Sequence, residues 1–232
     1  MSVKPEVNQH LVFISNARCS FPWIVDPQVK KNDKGVDVAT YNCDLLLPSN
    51  DPAWLKFMQE CMTVATEKWK ENAQAAMQRI QSDRKTRCYF NGEEKVNSKT
   101  FQVLDGYAGM VGITARSQRQ PQIIRADGTQ VDPTNTMELR AVASKIYGGC
   151  YVNAVVKPWA QQNDTGIGMR CDLIAIQFAK DGEAFGAGPV DTTGMFGAVA
   201  GAAPAAANPF APPASAMPAA PFGGGLPSFL QS

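Results

Sequence analysis

The chain has a single histidine, His10, and no two of its six cysteines stand at C-x-x-C spacing. No closed zinc site can be drawn from such ligands, so the fold is expected to need no metal or other cofactor. The same scarcity removes a His-based catalytic triad, because His10 lies close to the terminus and stands alone. No apolar run is long enough to span a bilayer, and no N-terminal stretch resembles a secretion signal. Net charge is nearly absent as well: 22 basic residues face 21 acidic ones, so overall charge points to no partner. After Asp191 charge disappears altogether, and "GAVAGAAPAAANPFAPPASAMPAAPFGGG" is almost wholly Ala, Pro and Gly. A segment with so little to bury and so many helix breakers is expected to be disordered. That reading gives one globular domain over residues 1–190, large enough for a real core, and a tail over 191–232.

The cysteines present are Cys19, Cys43, Cys61, Cys88, Cys150 and Cys171. Several interrupt apolar strand or helix patterns, where a free thiol behaves as a small hydrophobe. Reduced, buried thiols and a cytoplasmic setting are expected.

Periodicity orders the rest. "LVFISNARCSF" (11–21) alternates as a strand, with Leu11, Phe13, Ala17 and Cys19 on one face. After a polar loop, "VDVATYNCDLLLP" (36–48) is a second strand, with Ala39, Tyr41, Cys43, Leu45 and Leu47 on one side. Asp51 suits an N-cap and Pro52 the first helical position. Trp54, Met58, Cys61, Met62, Ala65, Trp69, Ala73, Ala76, Met77 and Ile80 then hold helical spacing to about Asp83. Residues 83–101 read as a long polar excursion. Strands are expected at 106–117, 121–131, 150–158 and 168–179, with a turn at Asp127-Gly128 and a loop over "AQQNDTG". Short strands with one substantial helix predict a small β-barrel or sandwich carrying a helical insert.

Enzyme signatures fail on context. "GYAGMVG" lacks the Lys-Ser/Thr ending of a phosphate-binding loop, and "GIGMRC" opens a strand, where a dinucleotide fingerprint must open a helix. Glu93-Glu94 has the look of a solvated face. Binding fares better. Between Arg84 and Arg125 eight basic side chains (Arg84, Lys85, Arg87, Lys95, Lys99, Arg116, Arg119, Arg125) face three acidic ones, and Tyr89, Phe90, Phe101 and Tyr107 are interleaved. Strand 150–158 and the residue after it, within "YGGCYVNAVVKPW", put Tyr151, Lys157 and Trp159 opposite Val152, Ala154 and Val156. Aromatics mixed with Lys and Arg suit single-stranded nucleic acid, whose bases stack while its phosphates meet the cations. Two readings of that aromatic face stay open from the residues alone: it carries nucleic acid, or it packs beneath the helix.

"YGGCYVNAVVKPW" followed by "GIGMRCDLIAIQFAKDGEAFGAG" resembles the C-terminal half of the bacteriophage single-stranded DNA-binding proteins. The matching residues are Gly148, Gly149, Tyr151, Val152, Asn153 and Ala154, then Gly166, Gly168, Ile176, Gln177, Phe178, Asp181, Gly182, Glu183, Phe185 and Gly186. The start, "VFISNARCSFP" to "YNCDLLLP" and an Asp-Pro-led helix, is similar too, so the resemblance covers about residues 8–188. It implies an OB-fold, mainly β with one long helix: a closed or partly open barrel, its helix inserted after the second strand. It also implies sequence-independent coating of single-stranded DNA in phage replication and recombination, in the cytoplasm of the infected bacterium. The residues expected to meet DNA are Arg84, Lys85, Arg87, Tyr89, Phe90, Tyr107, Arg116, Arg119, Arg125, Tyr151, Lys157 and Trp159. Replication or recombination proteins are conceivable partners of the tail. That tail carries Phe210, Phe222 and Phe229 but none of the acids that end many such proteins. A homo-oligomer stays open, and no membrane partner is expected. The alternative is a non-enzymatic phage structural or interaction protein with a β-domain and a flexible Ala/Pro-rich arm.

Overall fold

The structure, a computed structural model, describes residues 10–31, 35–164 and 166–186. The expected tail and the boundary before it lie outside the described residues. The elements are β1 (Val12–Lys31), β2 (Asp37–Pro48), α1 (Pro52–Trp69), α2 (Ala73–Ser82), β3 (Tyr89–Asn91), β4 (Met110–Ser117), β5 (Gln122–Ile124), α3 (Thr136–Ala143), β6 (Tyr151–Asn163) and β7 (Gly166–Lys180). The strands form one sheet in the order β3-β4-β2-β1-β6-β7-β5. Neighbours are antiparallel except β5, which runs parallel to β7.

The sheet does not close, since β3 and β5 at its two ends do not pair. A closed barrel is therefore not formed, and the helical insert follows β2 as expected. Residues 84–88 bridge the opening. The Thr86 carbonyl accepts from Met169 N–H of β7 at 2.8 Å, and the Cys88 carbonyl from Thr114 N–H of β4 at 2.7 Å. Gly168 permits this approach: a Cβ there would sit 2.9 Å from the Thr86 oxygen. The Gly-x-Gly that opens β7 is thus a place for a passing backbone, as glycine within a strand often is.

The core lies between the curved sheet and the helical insert. Val12, Ile14, Cys43, Leu45, Ile113, Val152, Ala154, Val156, Met169 and Leu173 meet Phe57, Cys61, Ala65 and Ile80, all under 3 % exposed. Each large apolar side chain buried this way contributes about 1.5–3 kcal/mol. Asp51 caps α1 by accepting from Ala53 N–H at 2.7 Å, with Pro52 in the first turn. All six cysteines are free and buried.

Several expectations need correction. Phe13 is exposed, and Val12 and Ile14 point inward in its place. The cause is Asn16, whose φ of 54° makes a bulge and reverses the alternation before Ala17. The expected single helix is two, broken at Lys70, where φ is 52°. Met62 lies on the exposed side of it. The "AQQNDTG" loop is mostly strand, because pairing continues to Asn163 opposite Gly166. In place of a strand to 131 there is the short β5, a hairpin turn at Asp127-Gly128 and one further bridge, Ile124 to Gln130. Helix α3 had no counterpart in the sequence reading. Asn135 caps it, accepting from Glu138 N–H at 3.2 Å.

Candidate nucleic-acid interface

β6 alternates as its sequence says. Val152, Ala154 and Val156 are buried, Tyr151, Asn153, Val155 and Lys157 half-buried, and Trp159 exposed. Tyr151 and Trp159 nevertheless serve different surroundings, since eight residues of strand separate them by about 26 Å. The Tyr151 ring lies beneath Lys180, 4.5 Å from its centroid, and beside Arg18 at 5.7 Å. Trp159 stands at the far end of the strand, directly across the ladder from Arg170. Its indole N–H donates to Asp172 Oδ1 at 3.0 Å, which fixes the ring's edge.

Trp159 borders a cleft of about 650 Å³ over the bridged opening of the sheet. The bridging segment supplies Arg84, Lys85, Arg87 and Cys88; β3 supplies Tyr89 and Phe90; and Glu94 and Lys95 follow. The opposite walls are Thr114 and Arg116 of β4, Gln161 of β6, and Arg170, Cys171 and Asp172 of β7. Six cations thus face two carboxylates. A second hollow of about 740 Å³ shares Arg116, Trp159 and Asp172 with the first and continues past Ser117, Arg119 and Gln122. The two form one basic surface with an indole at their junction.

The cations are held differently. Lys95 reaches Asp44 at 3.1 Å and lies 4.1 Å over the Phe90 ring. Asp44 is buried, and it also accepts from Thr114 Oγ1 at 2.6 Å and Tyr107 Oη at 3.2 Å. Three donors are what a buried carboxylate requires. Burial pushes the Tyr107 hydroxyl well above its usual range, with Asp44 adding to the shift. Arg170 is anchored by Gln161 Oε1 at 2.6 Å and by the Lys85 carbonyl at 2.9 Å. Arg84 and Arg87 share Glu94, at 3.4 and 2.8 Å. Lys85, Arg116, Arg119 and Lys157 have no carboxylate partner among the described residues.

Of the residues expected to meet DNA, the structure gathers Arg84, Lys85, Arg87, Arg116, Arg119 and Trp159 on this surface, but not Tyr107, Arg125 or Tyr151. Tyr107 is 1 % exposed and stacks on Phe90, with centroids 5.9 Å apart, in a small second core with Leu46. Phe90 and Tyr89 reach the cleft only as its covered floor, 7 % and 5 % exposed. Tyr89 meets Trp54 edge-on at 6.4 Å, and burial pushes its hydroxyl up to about 12. These three rings are spoken for by packing, which corrects their reading as stacking platforms. Arg125 is a scaffold residue too: it donates to Glu138 at 2.7 Å and to the Gln130 carbonyl at 2.6 Å, holding the hairpin to α3. Lys157 is next to Trp159 on the outer face, opposite Asp172 in the ladder. Arg170 was missed. Alternation applied to "GIGMRCDL" puts it on the same face as Asp172, and that pattern was the available signal.

A family profile described as "Enterobacter phage Enc34, ssDNA-binding protein" matches residues 10–203. Among curated proteins, a putative protein p50 of Acyrthosiphon pisum secondary endosymbiont phage 1 is 28% identical over 186 residues, covering 79% of this chain and 90% of the relative. Among solved structures, the single-stranded DNA-binding protein from bacteriophage Enc34 in complex with ssDNA superposes with a TM-score of 0.56 at 25% identity. That match covers 77% of this chain and 91% of the other. A second structure of the Enc34 protein gives 0.55 at 25% identity, over 81% and 90% of the two chains.

Proposed function

The chain belongs to the family of the Enterobacter phage Enc34 ssDNA-binding protein, and we propose that it binds single-stranded DNA without sequence preference across the basic surface around Trp159. One observation carries this reading: an indole stands at the junction of two hollows where cations outnumber carboxylates, directly opposite Arg170. Trp159 offers a π-face that any base can stack on, worth ~1–3 kcal/mol per base. Arg116, Arg119, Lys85 and Arg84 track phosphates to either side. Asp172 fixes the indole edge so that little side-chain freedom is lost when a base arrives. Sites of this kind give affinity without reading base edges. The family and the chemistry together favour binding over catalysis, and protection of single strands during phage replication and recombination in the infected cell. No described helix is long and apolar enough to cross a membrane.

The test is a tryptophan-fluorescence titration of the whole chain with oligo-dT, oligo-dC and duplex DNA of equal length. Quenching by both single strands, with little response to duplex, is the expected result. Equal binding to duplex, or no binding by any of them, would count against the proposal.

A further inference from the structure

Arg87, a cation of the cleft, is largely covered, with 7 % of its side chain exposed. Its Nη1 donates to the Tyr89 carbonyl at 3.2 Å and its Nη2 to Glu94 Oε2 at 2.8 Å. Its Nε is buried and has no acceptor among the described residues. A guanidinium presents its donors in a fixed fork, and a covered N–H left unmet is costly. If Arg87 served only to build the 87–95 loop, the loop would gain by satisfying that donor or by using a lysine. The orphaned N–H, in a residue that lines the cleft, marks a place for an acceptor that comes from outside.

Glu94 supplies the second observation. Arg84 Nε and Arg87 Nη2 both converge on the same oxygen, Oε2, at 3.4 and 2.8 Å. One carboxylate therefore neutralises two arginines and still leaves Arg87 Nε unmet. A phosphate can take the Nε and Nη2 edge of a guanidinium in parallel through two non-bridging oxygens, a pairing that Glu94 does not make here. The backbone around Glu94 need not move for such an exchange. Lys95 N–H is bonded to the Gly92 carbonyl at 3.0 Å, and the Lys95 ammonium is fixed on Asp44 at 3.1 Å.

We propose that Arg87 and Arg84 form a seat for one phosphoryl group, and that Glu94 is its resident stand-in, displaced when the phosphate arrives. This rests on the reading that the cleft carries a DNA strand, and it makes binding there an exchange of anions, so a carboxylate of the chain itself weakens the hold on phosphate. The group can be an internal phosphodiester of the strand or a free phosphate such as a nucleotide's.

The whole chain, with Glu94→Gln and Arg87→Lys variants, is titrated with oligo-dT over a salt series. Each form is also titrated by calorimetry with inorganic phosphate and with dTMP at matched ionic strength. Glu94→Gln should tighten oligo-dT binding several-fold and steepen the plot of log affinity against log salt by about 0.7, the share of one more phosphate neutralised. Arg87→Lys keeps the charge but loses the fork, so affinity should fall about ten-fold with little change of slope. Thermal melts of both variants identify any that fails to fold, and Glu94→Gln alone then decides. If its gain appears with oligo-dT only, the seat takes the strand's phosphodiester; if it extends to inorganic phosphate or dTMP, it takes free phosphate as well. If Glu94→Gln binds oligo-dT no better than the parent, with the same slope, the seat is overturned while the strand-binding reading stands. If no form binds oligo-dT but Glu94→Gln takes up phosphate more tightly, the seat stands and the strand reading falls. If nothing binds at all, both fall.

Discussion

Two arginine-rich regions of this molecule, both partly within the stretch from Arg84 to Arg125, use the same side chain to opposite ends. At the corner between the β5 hairpin and α3, every guanidinium is matched. Arg125 has Glu138 at 2.7 Å with Thr129 and Gln130 around it, and Arg140 holds Asp26 through two parallel bonds of 2.9 and 2.7 Å. Across the opening of the sheet the charges are left unmatched. Arg84 and Arg87 divide one carboxylate, Arg87 Nε has no acceptor, and Arg116 and Arg119 have no acid at all among the described residues. Matched arginines stabilise a corner, whereas unmatched ones repel each other and hold potential for an anion. Basic composition alone does not separate the two; the position of the carboxylates does.

The sharpest way to break that contrast is to reverse charge on the unmatched side. Arg116→Glu with Arg119→Glu should lower oligo-dT affinity by on the order of a hundred-fold at low salt and flatten the salt slope by about 1.4, two phosphate contacts at ~0.7 each. Thermal stability should hold or rise slightly, because like charges are separated. An unchanged slope, read from titrations at several salt concentrations, would mean that these arginines do not face the strand.

Next in size is the indole. Trp159→Ala should cost about one stacking contact, ~1–3 kcal/mol of oligo-dT binding, with a modest change in melting temperature. A large loss of stability with normal binding by the folded fraction would instead make Trp159 part of the packing. Tyr107→Phe is the complementary case on the covered side. It removes the hydroxyl that donates to Asp44 at 3.2 Å, so stability should fall by about 1 kcal/mol in a denaturant titration. Oligo-dT affinity should be unaltered, since Thr114 and Lys95 still hold Asp44.

Much of the fold was legible where periodicity runs uninterrupted. β6 keeps its alternation from Tyr151 to Trp159, and Asp51-Pro52 starts α1 as written. Legibility failed where one residue changes the phase or ends a pattern. The bulge at Asn16 turned Phe13 outward, and Lys70 broke the helix with no proline or glycine to announce it. Of the site, the sequence disclosed which residue types were present but not which were already partnered. Tyr89, Phe90 and Tyr107 looked available because they are interleaved with the basic residues of 84–125. They are covered because β3 pairs with β4 and because Asp44, far away in sequence, draws Tyr107 and Lys95 to itself. Arg170 went unnoticed among the apolar residues of its strand, although it faces Trp159 across the ladder. Long-range pairing decides such matters, and a local pattern does not contain it.

The smallest effect is expected on the matched side, and it sharpens the comparison through pH. Arg125→Gln should leave oligo-dT affinity and its salt slope unchanged while lowering the melting temperature slightly at neutral pH. Glu138 is held below the usual carboxylate range, first by its hydrogen bond from Arg125 and then by that residue's charge. Asp127 and Asp132 are held low as well, chiefly by hydrogen bonds from Thr129 and Thr134. A carboxylate whose pKa is depressed in the folded state contributes stability that is present above its unfolded pKa and lost as pH falls through the folded one. The part that Arg125 supplies to Glu138 is therefore present at neutral pH and gone in acid. The melting-temperature difference between parent and Arg125→Gln should be greatest near neutrality and should close as the buffer is taken below the carboxylate range. A difference that persists unchanged into acid would mean that Arg125 supports the hairpin through Thr129 and the Gln130 carbonyl, with Glu138 incidental. A fall in DNA affinity would place the matched corner on the binding surface and dissolve the contrast between the two regions.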